Sequence, residues 1–136
     1  MPAQATLSWS PPPEDWLKIN CDVRVGSESM CVVALAKDCW GTVVWTATDL
    51  LDFADALIGE ATTCLLALKT ANLLKQHFVM IKSDSEIIIN FLNGSSADWR
   101  IDSYVNQCIK LSKLFMGCYF SFISRLCHFA AYNVAN

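Results

Sequence analysis

The segment Leu17–Val25 constrains the fold more than any other part of the sequence, because its side chains alternate in polarity. Apolar residues such as Ile19 and Cys21 alternate with a lysine, an asparagine, Asp22 and an arginine. Successive side chains of a β-strand point to opposite faces, so this pattern predicts a strand with one apolar face. Aspartate is depleted in strands. Asp22 is therefore either a buried acid with a polar partner or a carboxylate placed for chemistry.

The composition indicates one globular domain. The chain has 136 residues, of which 54% are hydrophobic and 17% are charged, so it can bury a core and is not disordered over most of its length. Residues 1–15 carry all four prolines, and we interpret them as an extended Pro-rich arm that precedes a single domain at 16–136. The high apolar content also indicates an exposed face for a protein partner.

The charge limits how the chain meets nucleic acid. The net charge is -3 and the pI is about 5.2, whereas proteins that grip phosphates usually carry a basic excess. Any contact with nucleic acid must therefore be local, weak, or assisted by metal ions or another domain. Since no run of about 18 uncharged apolar residues exists, no membrane span is expected.

The cysteines indicate a reducing compartment. There are seven, an odd number, and most fall inside apolar runs without the spacing of metal ligands. We interpret them as small buried hydrophobic residues. Because the N-terminus is polar and Pro-rich with no visible secretory signal, we expect an intracellular protein of the nucleus or cytoplasm.

Periodicity and turn residues predict the remaining elements. Between the second and third strands, the short link 38–41 contains a glycine and predicts a hairpin. The predicted elements after the first strand are strands at Met30–Lys37 and Thr42–Ala47, a helix from Ala56 to about Gln76, a strand at Phe78–Ser83, helices at Ile87–Leu92 and about Ile101–Met116, a strand at Tyr119–Ser124 and a short helix at Leu126–Val134.

Three acids fall at related places in this order. Asp22 lies in the first strand, Glu60 on the first helix and Asp84 at the end of the fourth strand. A strand–helix–strand crossover implies parallel pairing of the two strands, so the acids can meet at one end of the sheet. Converging carboxylates repel one another unless a counter-charge such as Mg²⁺ is present. The alternatives are that Asp84 caps the next helix and that Glu60 is a solvated helix acid.

Several short motifs resemble those of the ribonuclease H-like domain found in plant proteins and in plant retroelements related to reverse transcriptases. The resemblance runs from Trp9 to Ala135. The motifs are Trp-Ser-Pro-Pro-Pro at 9–13, Lys-Ile-Asn-Cys-Asp at 18–22, Gly-Glu-Ala at 59–61, Lys-Ser-Asp-Ser at 82–85, Arg-Leu-Cys-His at 125–128 and Ala-Tyr-Asn-Val-Ala at 131–135.

The resemblance implies a fold and an activity. The fold is an α/β architecture with a five-stranded mixed sheet, strand order 3-2-1-4-5, and helices on both faces. The activity is endonucleolytic, metal-dependent hydrolysis of RNA in RNA–DNA hybrids, with two Mg²⁺ or Mn²⁺ ions held by Asp22, Glu60 and Asp84. The hybrid is expected to bind weakly and in a salt-dependent manner. The alternative is a catalytically degenerate module that binds nucleic acid or protein.

The chain also departs from the family's pattern at the site. Tyr132 stands at the fourth site position, where the family usually carries His, or Asp in ribonucleases H themselves. Val23 and Arg24 stand where Gly-Ala usually follows the first acid, and larger side chains there would crowd the metal or the substrate. We therefore expect weakened cleavage.

Overall fold

The computed structural model describes residues 15–95 and 99–124, and their elements form one mixed sheet with associated helices. The five strands lie in the order β3-β2-β1-β4-β5, which confirms the predicted architecture. The elements are β1 (Leu17–Val25), β2 (Met30–Lys37), β3 (Val43–Leu51), α1 (Ala56–Leu73), β4 (Phe78–Ser83), α2 (Glu86–Leu92), α3 (Asp102–Ser112) and β5 (Gly117–Phe122). The predicted last helix and nearly all of the Pro-rich arm lie outside the described residues.

β1 is the central strand and sets the register of the sheet. It pairs antiparallel with β2 from Lys18↔Lys37 to Val25↔Met30. It pairs parallel with β4 from Leu17↔Val79 to Cys21↔Ser83, because the connection through α1 crosses back over the sheet. The last register pair with β4 therefore falls one residue before Asp22.

The alternation in β1 separates a core face from a polar face, as predicted. Ile19 and Cys21 are fully buried and belong to the main core. Small and apolar residues along α1, including Ala61, Cys64 and Leu68, pack into the same core, as do apolar residues of α2 and α3. Burying this apolar area is the main favourable term in folding. No helix within 15–95 and 99–124 is long and apolar enough to cross a membrane.

Two strands differ from their predicted bounds because of their neighbours. β3 continues to Leu51, four residues beyond its predicted end, since it stays paired with β2 as far as Met30↔Leu51. α3 ends at Ser112, and β5 already begins at Gly117. The N–H groups of residues 116 and 117 both donate to the carbonyl of His77, at 2.9 and 3.2 Å, which ties the start of β5 to the start of β4.

Gly117 directly follows the predicted helix, which suggests a glycine that ends it, but the structure shows a different role. It is the first residue of β5, where the chain passes close to the aromatic side chains of Trp16 and Phe78. A Cβ at position 117 would lie 2.7 Å from Cη2 of Trp16. Trp16 also stacks on Tyr119, with ring centroids 5.1 Å apart. The glycine therefore allows a close aromatic contact and does not act as a helix terminator.

Candidate active site

Asp22 projects from β1 away from the core. Its neighbours Cys21 and Val23 face α1: Cys21 Sγ lies 3.8 Å from the carbonyl oxygen of Thr63, and Val23 lies against the first turns of the helix. Because strand side chains alternate, the half-buried Asp22 carboxyl lies on the opposite face. The mid-strand acid is therefore directed away from the apolar core.

Asp84 directly follows β4 and lies beside Asp22, at the point where the parallel pairing of β1 with β4 ends. The last register pair of β1 and β4 is Cys21↔Ser83, and the next residue in each strand is an aspartate. Neighbouring strands lie about 4.8 Å apart, so the two backbones hold these acids side by side. The side-chain cap of α2 is Ser85, whose Oγ accepts a hydrogen bond from the Ile88 N–H at 3.4 Å. The prediction that Asp84 serves as that cap is therefore wrong.

Glu60 reaches the same end of the sheet from α1. Ser83 Oγ donates a hydrogen bond to Glu60 Oε2 at 3.2 Å. The same Ser83 oxygen accepts the Ser85 N–H at 3.1 Å. Glu60 is half-buried, so the alternative of a fully solvated helix acid is wrong. One serine thus connects the helix acid to the strand end that carries Asp84.

Thr63 fixes α1 against β1 at the level of Asp22. Its side chain is fully buried, and Oγ1 lies 3.2 Å from the carbonyl oxygen of Asp22 and 3.1 Å from that of Val33. Sequence reasoning missed this residue. The sequence feature that could have identified Thr63 is a threonine on the apolar face of a helix, three residues after an acid. A hydroxyl buried at such a position requires a hydrogen-bond partner.

Gly59 allows the first turns of α1 to approach the sheet. A Cβ at this position would lie 2.9 Å from Val23 Cγ1 and 2.9 Å from Met30 Sδ. The Val23 side chain therefore points to the helix, next to the residue that precedes Glu60, and not to the face of Asp22. The crowding of metal or substrate expected of Val23 stays a prediction. Arg24 is exposed and, by alternation, shares the face of Asp22.

Lysines accompany Asp22 on its face of the sheet. Lys82 precedes Asp84 by two residues and pairs in register with Asn20, which precedes Asp22 by two residues. Burial lowers the pKa of Lys82 and also that of Lys37. The Asn20 amide is buried and has no hydrogen-bond partner within the described ranges. Acids and cations therefore share one polar face, a combination that suits a metal-assisted contact with phosphates.

The acids fit a divalent metal by their chemistry and their backbone positions. Carboxylate oxygens are the ligands that Mg²⁺ prefers. Within 15–95 and 99–124, however, no three His, Cys, Asp or Glu side chains form a group that could hold a metal ion as they stand. The backbone brings the three acids to one sheet end without assembling their oxygens, so the metal site stays a prediction. The fourth predicted position, Tyr132, lies outside the described residues.

Comparison with known proteins agrees with this fold. A family profile described as reverse transcriptase-like matches residues 20–136. Comparison with curated protein sequences gives no match. RNase H1 from Halobacterium salinarum superposes with a TM-score of 0.78 at 16% identity, over 87% of this chain and 92% of that one.

Two further solved structures are similar. The N-terminal RNase H domain of a Mycobacterium tuberculosis protein has a TM-score of 0.75 at 14% identity, covering 89% of this chain and 99% of that one. LC11-RNase H1, solved in complex with an RNA/DNA hybrid, has a TM-score of 0.76 at 13% identity, covering 86% and 91%. At these identities the likeness concerns the fold.

Proposed function

The chain belongs to the reverse transcriptase-like family and has the ribonuclease H fold, and from that premise we propose that it is a metal-dependent endonuclease acting on the RNA strand of RNA–DNA hybrids. One observation carries the proposal. Asp22 and Asp84 directly follow the last register pair of two parallel strands, and the serine of that pair holds Glu60. The backbones of three elements thus bring three acids to one sheet end.

In this proposal the three acids hold Mg²⁺ or Mn²⁺, as two ions when the substrate is present. The bound metal would supply an activated water and stabilise the leaving 3′ oxygen. Asp22 lies on the central strand, next to the strand that Asp84 follows. Ser83 orients Glu60 by its hydrogen bond, and Thr63 fixes the helix that carries Glu60 against the strand that carries Asp22. Both residues are fully buried, so their role in this proposal is to position the acids.

The substrate class is supported by structures of similar proteins. LC11-RNase H1 and a foamy viral protease-reverse transcriptase were each solved with an RNA/DNA hybrid, and the latter also with double-stranded DNA. With a net charge of -3, this chain should bind a hybrid weakly. Binding should weaken steeply with salt, because each neutralised phosphate adds about 0.9 to the slope of log K against log salt on duplex DNA. We also propose a reducing compartment, which suits the six free cysteines within the described residues.

The test is a single-turnover cleavage assay on an RNA–DNA hybrid with labelled RNA, beside double-stranded RNA and double-stranded DNA of the same sequence. We expect cleavage of the RNA strand of the hybrid alone, in Mg²⁺ and not in chelator. Asp22→Asn should abolish it. Asp102→Asn is the matched control, because Asp102 is an exposed acid in the first turn of α3.

Two results would overturn the proposal. Cleavage that survives in chelator or in Asp22→Asn would exclude a metal held by these acids. Salt-dependent hybrid binding without any cleavage would identify the degenerate binding module instead.

A further inference from the structure

β3 is a long edge strand without the usual protection against pairing. It has nine residues, and among the strands of 15–95 and 99–124 its only neighbour is β2. Its only charged residue is Asp49, and it contains no lysine and no proline. Natural edge strands are commonly short, or carry lysine or proline, because their open N–H and C=O groups otherwise pair with another chain. The outer side of β3 is therefore available for an additional strand.

The opposite edge of the sheet is different. β5 has six residues, and its Phe120 carbonyl accepts a hydrogen bond from the Asn93 side chain at the end of α2, at 3.2 Å. On β3, the corresponding local contact is the Leu50 N–H donating to its neighbour Asp49 Oδ1 at 2.9 Å. The Asp38 N–H donates to the Thr42 carbonyl at 3.0 Å, so the even-numbered residues of β2 turn their N–H groups toward β3. Their register partners on β3 are the odd-numbered residues from Trp45 to Asp49, so the Leu50 N–H points away from β2. By alternation, the N–H groups of Thr46 and Thr48 point the same way.

We propose that β3 pairs antiparallel with β3 of a second copy of this chain, across a twofold axis at Ala47. This register places Thr46 opposite Thr48, and since both carry outward N–H groups, they form a hydrogen-bonded pair. Cross-strand Thr–Thr pairs are favourable. The two Asp49 carboxylates lie opposite Trp45 residues and not opposite each other, so like charges are kept apart.

The same register pairs apolar side chains that are otherwise exposed. Leu50, 72% exposed, comes opposite Val44, 47% exposed. Beyond the strand ends, Trp40 of one copy would lie near the segment of the other copy that contains Phe53. Trp40 is 83% exposed and Phe53 is 40% exposed. Because one symmetry operation gives each of these residues an apolar neighbour, the strand is self-complementary. This self-complementarity favours a second copy over an unrelated peptide.

The test is sedimentation velocity over a wide range of protein concentrations. Wild type should show a concentration-dependent monomer–dimer equilibrium. Leu50→Lys should raise the dimer dissociation constant by about tenfold or more. Leu73→Lys is the matched control, because it makes the same change at a leucine that is 78% exposed near the C-terminal end of α1. Asp49→Ala should tighten the dimer, since it frees the Leu50 N–H and removes a negative charge at the interface.

A second measurement does not depend on any variant. Hydrogen exchange of the Thr46 and Thr48 amides should slow as wild-type concentration rises, because both amides enter the shared ladder. The proposal is overturned if wild type is monomeric at every concentration, or if Leu73→Lys dissociates the dimer as strongly as Leu50→Lys. Exchange at these two amides that does not depend on concentration would also overturn it.

Discussion

Replacing Gly59 by alanine sets two effects of known size against each other. In a helix interior, alanine is favoured over glycine by about 1 kcal/mol. Gly59 is buried, however, and the new methyl group would lie 2.9 Å from both Val23 Cγ1 and Met30 Sδ. Overpacking of this kind typically costs about 1–3 kcal/mol. The result depends on whether the two neighbours can move.

The neighbours differ in stiffness. The thioether end of Met30 is flexible and can move aside. Val23 is β-branched, so its side chain yields only if β1 shifts. We therefore expect Gly59→Ala to destabilise the protein by about 1 kcal/mol net of the helix-propensity gain. The displaced helix should also lengthen the Ser83–Glu60 hydrogen bond, so hybrid cleavage should fall as well.

The assay is urea unfolding combined with a double-mutant cycle. Val23→Ala removes the methyl group that the new alanine meets, so the double variant should show a favourable coupling of at least about 0.5 kcal/mol. Gly94→Ala is the control: its φ is +112° and no atom lies within 4 Å of the added Cβ, so its strain is in the backbone and Val23→Ala should not relieve it. If Gly59→Ala stabilises the protein, or if the cycle shows no coupling, the proposed close packing is refuted.

Three further predictions concern the core and the fourth site position. Thr63→Val should lower the free energy of unfolding by about 1–3 kcal/mol in urea titrations, because two backbone carbonyls lose a buried donor. Burial raises the pKa of Cys118 from 9.0 to about 12. Between these values the folded thiol keeps its proton while the unfolded thiol ionises, so the unfolded state gains free energy of ionisation. The contribution of Cys118 to stability is therefore complete below pH 9.0 and is lost as the pH rises toward 12. Stability should accordingly decline less steeply in that window for Cys118→Ala than for wild type. Tyr132→His or Tyr132→Asp should raise the rate of single-turnover hybrid cleavage with little change in binding. A neutral phenol is a poor Mg²⁺ ligand, and general acid–base catalysis is typically worth about 10²–10⁴-fold in rate. No gain in rate in either variant would contradict this prediction.

Local patterns predicted the elements that depend on local chemistry. The bounds of β1, β2 and β4 follow from short apolar runs between turn residues, and the structure confirms them. The end of β3 was missed because pairing with β2 carries the strand beyond its apolar run to Leu51. The start of β5 was missed because it depends on a carbonyl 40 positions earlier, that of His77.

The site could be predicted only in part. Asp22 stands out because an acid within an alternating strand is unusual. The bond between Ser83 and Glu60 joins residues 23 positions apart, and the contact between Gly59 and Val23 depends on how closely α1 packs on the sheet. Neither leaves a periodic signal in the sequence. The contact surface of Val23 could not be predicted for the same reason, since only the packed structure shows that it meets α1.

The central claim is that Asp22, Glu60 and Asp84 act as one metal site. The most direct test measures single-turnover hybrid cleavage in Mg²⁺ for Asp22→Asn, Glu60→Gln, Asp84→Asn and the three double variants. Residues that act as a unit are strongly non-additive. We therefore predict that each single variant falls to the same low rate and that no double variant falls further. Losses that multiply from single to double variants, or a Glu60→Gln variant that keeps the wild-type rate, would contradict the account.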